Sequence, residues 1–149
     1  MFNILVVDDS ETMRAAIRKV VGMSGVPIGE FLEAGNGKEA LAILEDSWVD
    51  VILTDINMPE MNGIDFLKQV KSEDVYSNIP VIIITTEASQ ARMDEAESLG
   101  ASGYVKKPFL PETIKQILTD VLESAYAQRM KEIPSEDVAV DDSDDDMDF

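Results

Sequence analysis

The sequence predicts an α/β fold in which a parallel sheet carries helices on both faces. Five short apolar runs alternate along the chain with five segments whose apolar residues recur at helical spacing. The apolar runs are continuous and do not alternate with polar residues, which is typical of strands buried on both faces. We therefore expect a doubly wound, five-stranded parallel sheet with five helices.

The first two strands flank an amphipathic helix. Asn3–Val7 is an apolar run predicted as a buried strand, and Ser10–Met23 carries its large apolar residues on one helical face. The hydroxyl of Ser10 is a typical N-cap, and Gly25 marks the end of the helical segment. Glu30–Ala34 is predicted as a second strand with a weaker signal.

The middle of the chain repeats this order of elements. The predicted helix Asn36–Asp46 precedes the strand Val51–Thr54, and the helix Gly63–Lys71 precedes Val81–Thr85, the strongest strand signal in the chain. Gly35–Lys38 resembles a fragment of a phosphate-cradling loop. It lacks the spacing of a P-loop, so we interpret it as the turn that begins a helix.

The last elements have clear end signals. Gln90–Leu99 is predicted as a helix closed by Gly100, a residue typical of the position after a helix. Gly103–Lys106 is the fifth predicted strand. Pro111–Tyr126 is the last predicted helix, and its proline suits a first helical turn.

The composition excludes several classes of chemistry and partner. The 149 residues include 30 acids and 12 bases, for a net charge of −18. Nucleic acids and anionic membrane surfaces are therefore not expected as partners, because both carry negative charge. There is no cysteine and no histidine, which excludes thiolate metal sites and histidine-dependent nucleophiles within this chain. With no apolar run long enough to span a bilayer and no basic targeting start, a cytoplasmic protein is expected.

The charge is concentrated at the end of the chain. Residues 131–149 hold nine acids and one base. We expect a folded domain over residues 1–128 and an acidic, disordered tail over residues 129–149. Asp142, Asp144 and Asp146 have the spacing of a calcium loop, but Met147 stands where glycine is needed. A solvated tail is favoured over a docking motif anchored by Met147 and Phe149.

Polar side chains follow four of the predicted strands. In chain order they are Asp8 and Asp9, Asp55, Thr85 and Thr86, and Lys106 with Lys107 and Pro108. Ligands of parallel sheets bind at this edge. Three carboxylates without a nitrogen or thiolate ligand favour magnesium, a lysine can hold an anion, and an aspartate can attack phosphorus. The sequence therefore predicts an aspartyl-phosphate site.

Four motifs in order resemble a known family. They are Val6-Val7-Asp8-Asp9-Ser10, Leu53-Thr54-Asp55-Ile56-Asn57-Met58-Pro59 with Met61-Asn62-Gly63, Ile84-Thr85-Thr86-Glu87-Ala88, and Gly100-Ala101-Ser102-Gly103-Tyr104-Val105-Lys106-Lys107-Pro108-Phe109. Residues 1 to about 128 resemble the receiver domain of two-component response regulators. They resemble most the CheY-like single-domain chemotaxis regulators. This resemblance implies a flavodoxin-like sheet with the strand order 2-1-3-4-5.

The resemblance implies a phosphoacceptor and a metal site. Asp55 would take a phosphoryl group from a histidine kinase of the chemotaxis type. Asp8 and Asp9 would hold Mg²⁺ together with Asp55, and Asn57 would add its backbone carbonyl. The chain would be a switch that phosphorylates and dephosphorylates itself, and no true enzyme.

The resemblance also implies a switch. Lys107 and Thr85 would contact the phosphoryl group, while Lys106 would point elsewhere. Tyr104 would rotate inward with Thr85 and change the surface that a protein target meets. The bond before Pro108 would be cis.

Further positions bear on rates and partners. Asn57, Thr86 and Glu87 occupy positions that tune hydrolysis in the family, and Thr86 is larger than the usual residue there. The expected partners are the kinase, a target such as the flagellar motor switch, and a possible phosphatase.

Other functions remain open at this point. A phosphate sink or a phosphorelay intermediate would have the same sequence features, and a degenerate receiver could act only as a binding module. A phosphatase of the haloacid dehalogenase type is less favoured. Its nucleophile follows the first strand with a second aspartate two residues later, whereas here Asp55 follows the third strand and is followed by Asn57.

Overall fold

The structure, a computed structural model, describes residues 1–86 and 89–132 and contains ten alternating strands and helices within them. The strands are β1 (Phe2–Val7), β2 (Ile28–Ala34), β3 (Val51–Thr54), β4 (Val81–Thr85) and β5 (Gly103–Lys106). The helices are α1 (Glu11–Gly22), α2 (Gly37–Asp46), α3 (Gly63–Ser72), α4 (Gln90–Ser98) and α5 (Pro111–Glu132).

The five strands form one parallel sheet in the order β2-β1-β3-β4-β5. The order reverses beside β1, because the chain first moves outward to β2 and then crosses back to β3. This reversal leaves a crevice at the carboxyl ends of β1 and β3, where ligands of such sheets bind. The expected fold class is confirmed.

Two apolar cores lie on opposite faces of the sheet. Leu5 and Val7 point into the core formed with α2, α3 and α4, whereas Ile4 and Val6 point into the core formed with α1 and α5. Successive strand side chains point to opposite faces, so both faces of β1 need apolar residues. Burial on both faces explains why the central strands appear in the sequence as unbroken apolar runs.

Helix ends follow local hydrogen bonding. The Ser10 hydroxyl accepts a bond from the Met13 N–H at 3.1 Å, so the predicted N-cap of α1 is confirmed. Asn36 caps α2 in the same way, with its side chain accepting from Glu39 N–H at 2.9 Å. This cap supports the interpretation of Gly35–Lys38 as a helix-initiating turn.

Two predicted elements differ from the structure by two residues or more, while the other eight agree to within one residue at each end. β2 begins at Ile28 and not at Glu30, and α5 continues to Glu132 and not only to Tyr126. The residues after Tyr126 are mostly good helix formers, so nothing in the local sequence ends the helix there. Residues 129–132, assigned to the acidic tail from sequence, are therefore helical. The remaining expectations for the tail, including the calcium and docking alternatives, lie outside the described residues.

Trp48 precedes β3, at the end of the strand away from the crevice, and is 71% exposed. Its indole N–H donates to Asp50 Oδ1 at 3.0 Å.

In the part of the chain that the structure describes, none of the helices has the length and apolar character needed to cross a membrane.

Candidate functional site

The sheet places Asp8 and Asp55 side by side. The Asp55 N–H donates to the Val7 carbonyl at 2.9 Å, which extends the pairing of β1 with β3 by one residue. The Asp8 N–H donates to the Ala34 carbonyl of β2 at 3.0 Å. Both aspartates are thus the first residues after their strands, as the sequence predicts, and their side chains enter the crevice beside β1.

Three carboxylates meet in this crevice. Asp8, Asp9 and Asp55 each offer an oxygen, and these oxygens all lie within 4.8 Å of one another. The Asp8 side chain is 3% exposed and that of Asp55 is 12% exposed, whereas Asp9 is at the surface. The cluster therefore has a buried floor and one acid that solvent reaches. Three like charges this close repel one another unless cations neutralise them.

Lys107 supplies one of those cations. Its Nζ donates to Asp8 Oδ2 at 2.7 Å and to Asp55 Oδ2 at 3.2 Å, and its side chain is 8% exposed. The Lys107 N–H donates to the Thr85 carbonyl at 2.8 Å, and the bond to Pro108 is cis, as the resemblance implies. Lys106 is exposed, so the two neighbouring lysines lie in different environments.

Hydrogen bonds and close packing fix the backbone around Asp55. The Ile56 N–H donates to Asp55 Oδ1 at 2.7 Å, and the Thr54 hydroxyl donates to the Asp55 carbonyl at 2.9 Å. The first residue of α3, Gly63, packs against that carbonyl so closely that an added Cβ would lie 2.0 Å from its oxygen. From sequence, Gly63 is only the start of a predicted helix and part of a motif, because a contact of this kind appears only in three dimensions.

The remaining predicted site residues surround this centre at different depths. Thr85 is fully buried at the end of β4, and Thr86, the next residue, is exposed. Asn57 is exposed in the loop after Asp55, and Tyr104 is half-buried on β5 against the core beneath α4. Glu87 lies outside the described residues.

The donor set fits magnesium. In an octahedral Mg²⁺ site with bonds of about 2.1 Å, neighbouring ligand oxygens lie about 3 Å apart and opposite ones about 4.2 Å. The three carboxylate oxygens lie within 4.8 Å of one another, close to the separations that such a site needs. The set contains only oxygen, which suits a hard cation that keeps part of its water shell. Asp9 is exposed, so solvent reaches the cluster on its side.

Comparison with known proteins agrees with this geometry. Residues 4–119 match the model of the response regulator receiver domain, so the chain belongs to that family. Within it, the chain is a CheY-like receiver domain. The site built here from Asp8, Asp9, Asp55 and Lys107 lies where the fold of this family places its ligand.

Individual relatives support the assignment. The chain is 42% identical over 120 residues to a chemotaxis protein CheY homolog of Campylobacter jejuni, covering 80% of this chain and 91% of the relative. It is equally similar to chemotaxis protein CheY1 of Helicobacter pylori, of which it covers 95%. Among solved structures, chemotaxis response regulator CheY4 of Vibrio cholerae matches with a TM-score of 0.73 and 38% identity. That match covers 82% of this chain and 99% of that one.

Proposed function

We propose that this chain is a phosphoacceptor switch that receives a phosphoryl group on Asp55 from a histidine kinase. The observation that carries the proposal is the joint position of Asp55, the acid pair Asp8 and Asp9, and Lys107. The lysine ammonium bonds two of the carboxylates, and all three carboxylates converge within 4.8 Å. Such a centre suits a reaction whose main demands are positioning and neutralisation of oxygen charge.

The chain's own groups prepare Asp55 for transfer. A carboxylate oxygen of Asp55 forms a bond to phosphorus, and the phosphorus–nitrogen bond of a phosphohistidine donor breaks. The electron pair stays on the imidazole nitrogen, which takes up a proton. The Ile56 N–H holds Oδ1 at 2.7 Å and so orients the nucleophile. Asp8, Asp9, Asp55 and the Asn57 carbonyl would hold Mg²⁺, which would supply charge neutralisation at the phosphoryl oxygens.

Lys107 and Thr85 connect the reaction to a conformational switch. In this proposal, Lys107 exchanges part of its contact with the carboxylates for a phosphoryl oxygen. Thr85 donates its hydroxyl to another oxygen and moves inward, and Tyr104 then rotates toward the core. Thr85 and Lys107 are already coupled through their backbones at 2.8 Å, so movement of one is felt by the other. The result is a population shift between two surfaces that a target protein distinguishes.

We also propose that the chain itself promotes hydrolysis of the phosphoryl group on Asp55. Thr86 is exposed directly beside buried Thr85, where its side chain limits the approach of water. Asn57 is likewise exposed after Asp55, and with Glu87 these residues set the lifetime. A separate phosphatase protein would shorten it further.

We further propose that the switch acts in chemotaxis, in the cytoplasm, with a CheA-like kinase as donor and the flagellar motor switch as target. The support is the similarity to relatives named as chemotaxis proteins, which covers 80% of the chain.

Intact-protein mass spectrometry with Mg²⁺ and a small acyl phosphate tests the chemistry. The native chain is expected to gain one phosphoryl group, and Asp55→Asn none. Asp50→Asn is a useful control, because this acid directly precedes β3 and so lies at the end of the strand opposite to Asp55. An adduct that survives in Asp55→Asn would contradict the assignment of the acceptor.

The pathway is tested in a motile bacterium whose own CheY gene is deleted. The native chain is expected to restore changes of swimming direction, and Asp55→Asn is not. If the native chain is phosphorylated in vitro but leaves swimming unchanged, the phosphoacceptor chemistry stands and the chemotaxis role is replaced by a phosphate sink or relay.

A further inference from the structure

Arg14 connects the turn that carries the acid pair to the neighbouring strand. Its Nη1 donates to the backbone carbonyl of Asp8 at 2.5 Å, and its Nε donates to Glu33 Oε1 of β2 at 3.0 Å. The side chain is only 15% exposed. One guanidinium group thus joins the end of β1, the first turn of α1 and the end of β2.

The Asp8 carbonyl needs such a donor. The N–H of Asp8 is used in the ladder with β2, where it bonds the Ala34 carbonyl at 3.0 Å. The carbonyl lies just beyond that ladder on a residue that is 2% exposed. A buried carbonyl without a partner is unfavourable, and the planar fork of an arginine can satisfy it while also binding a carboxylate.

The carboxylate of Asp8 is held from the other side. Its Oδ1 accepts from the Ser10 N–H at 2.9 Å and its Oδ2 from Lys107 at 2.7 Å. Arg14 fixes the main chain of the same residue. The position of Asp8 in the crevice is therefore set by three side-chain and main-chain donors, of which Arg14 is the one that bonds its carbonyl.

We propose that Arg14 is a positioning residue for the metal site: it fixes the turn so that Asp8 and Asp9 present their carboxylates together. This inference rests on the proposed function in one respect, namely that the acidic cluster binds Mg²⁺. The arginine itself touches neither the ion nor the phosphoryl group.

Geometry and charge make opposite predictions when Arg14 is replaced. Arg14→Gln removes a positive charge close to the cluster, and charge alone would then make Mg²⁺ bind more tightly. Loss of the fork loosens the turn, and removing a residue that orients metal ligands weakens binding by about tenfold. The direction of the change therefore separates positioning from simple electrostatics.

Arg18 offers a matched control. It lies one turn further along α1 and also pairs with Glu33, with Nη1 3.7 Å from Oε2. Its side chain is 64% exposed, and its guanidinium lies over the Phe31 ring at 5.4 Å, away from the crevice. Arg18→Gln removes the same charge from the same helix while leaving the bond to Asp8 intact.

Isothermal titration calorimetry with magnesium chloride measures the consequence for the metal. We expect the Kd of Arg14→Gln to rise about tenfold, and the Kd of Arg18→Gln to stay within a factor of two of the native value or to fall. Arg14→Lys keeps the charge but cannot bond Asp8 and Glu33 with one planar group, so its Kd also rises. Equal Kd values for Arg14→Lys and the native chain, or for the two glutamine variants, would overturn the proposal.

Hydrogen exchange of the metal-free protein tests the turn itself. The Ser10 amide, which is bonded to Asp8 Oδ1, is expected to exchange about tenfold faster in Arg14→Gln and at the native rate in Arg18→Gln. An unchanged Ser10 rate in folded Arg14→Gln would overturn the positioning role. If the native chain binds no Mg²⁺, the proposed function fails on calorimetry while the exchange result still decides the role of Arg14.

Discussion

The substitution Gly63→Ala tests how tightly α3 is packed against the phosphoacceptor loop. The Cβ of an alanine would lie 2.0 Å from the Asp55 carbonyl oxygen and 2.9 Å from Ile56 Cα. The closest contact that a real Cβ tolerates is about 3.0 Å, so about 1 Å of main-chain movement is needed. Gly63 has no positive φ, so lack of space is the whole effect.

The expected cost is at the upper end of that for overpacked sites. Both obstructing groups are backbone atoms, which cannot rotate away as a side chain does. We expect the free energy of unfolding to fall by about 3 kcal/mol. With an m-value of about 2 kcal/mol/M, the midpoint of urea denaturation would fall by about 1.5 M. Because the displaced carbonyl belongs to Asp55, phosphorylation by an acyl phosphate would also slow.

Gly22→Ala is the matched control for the urea experiment. Gly22 is the last residue of α1, and an added Cβ meets nothing within 4 Å. Alanine favours helix over glycine, so this variant is expected to gain up to about 0.5 kcal/mol. Opposite signs for the same chemical change would support the packing argument. A Gly63→Ala protein as stable as the native chain would refute it.

Three further predictions concern single side chains. Burial lowers the pKa of Lys71, whose Nζ donates to the Ser77 and Ile79 carbonyls at 3.0 and 3.1 Å. The folded state then releases this proton before the unfolded state does. The stability of the native chain relative to Lys71→Met should therefore rise with pH in the window below 10.5, as measured by urea denaturation at several pH values, and a flat difference would contradict the shift. Asp9→Asn should raise the melting temperature of the metal-free protein, because repulsion in the acidic cluster falls. The same variant should bind Mg²⁺ more weakly by calorimetry, because one ligand is lost. A variant that is both more stable and binds Mg²⁺ more tightly, or is both less stable and binds it more weakly, would contradict the shared site. Thr86→Ala should shorten the lifetime of phosphorylated Asp55 by a factor of about 2 to 10, followed by mass spectrometry after removal of the acyl phosphate, and equal decay rates would exclude a role for Thr86.

Three of the five strands could be predicted from sequence to the residue. β3, β4 and β5 have the predicted bounds because each is a short apolar run closed by polar residues or glycine. β2 was predicted two residues too short, because the exposed Gly29 and Glu30 separate Ile28 from the apolar residues that follow.

The acidic cluster could also be predicted, for a topological reason. Carboxyl ends of parallel strands meet at one edge of the sheet, so residues 8, 55 and 107 converge although they are distant in sequence. Arg14 was not singled out, and Gly63 was named only as part of a motif and as the start of a helix. In the sequence, Arg14 is an ordinary polar residue of an amphipathic helix. Its role depends on the turn before that helix, which folds back onto it in the structure. Gly63 has a special role only because a particular carbonyl lies behind it.

The position of Trp48 determines which optical methods can follow this protein. It is the single tryptophan of the chain, it is largely exposed, and it stands seven positions before Asp55. At about 3.3 Å per residue along an extended strand, the indole lies roughly 20 Å from the acidic crevice. Its emission should therefore change little on metal binding or phosphorylation, and only modestly on unfolding. A fluorescence titration of the native chain would miss events that calorimetry and mass measurement detect.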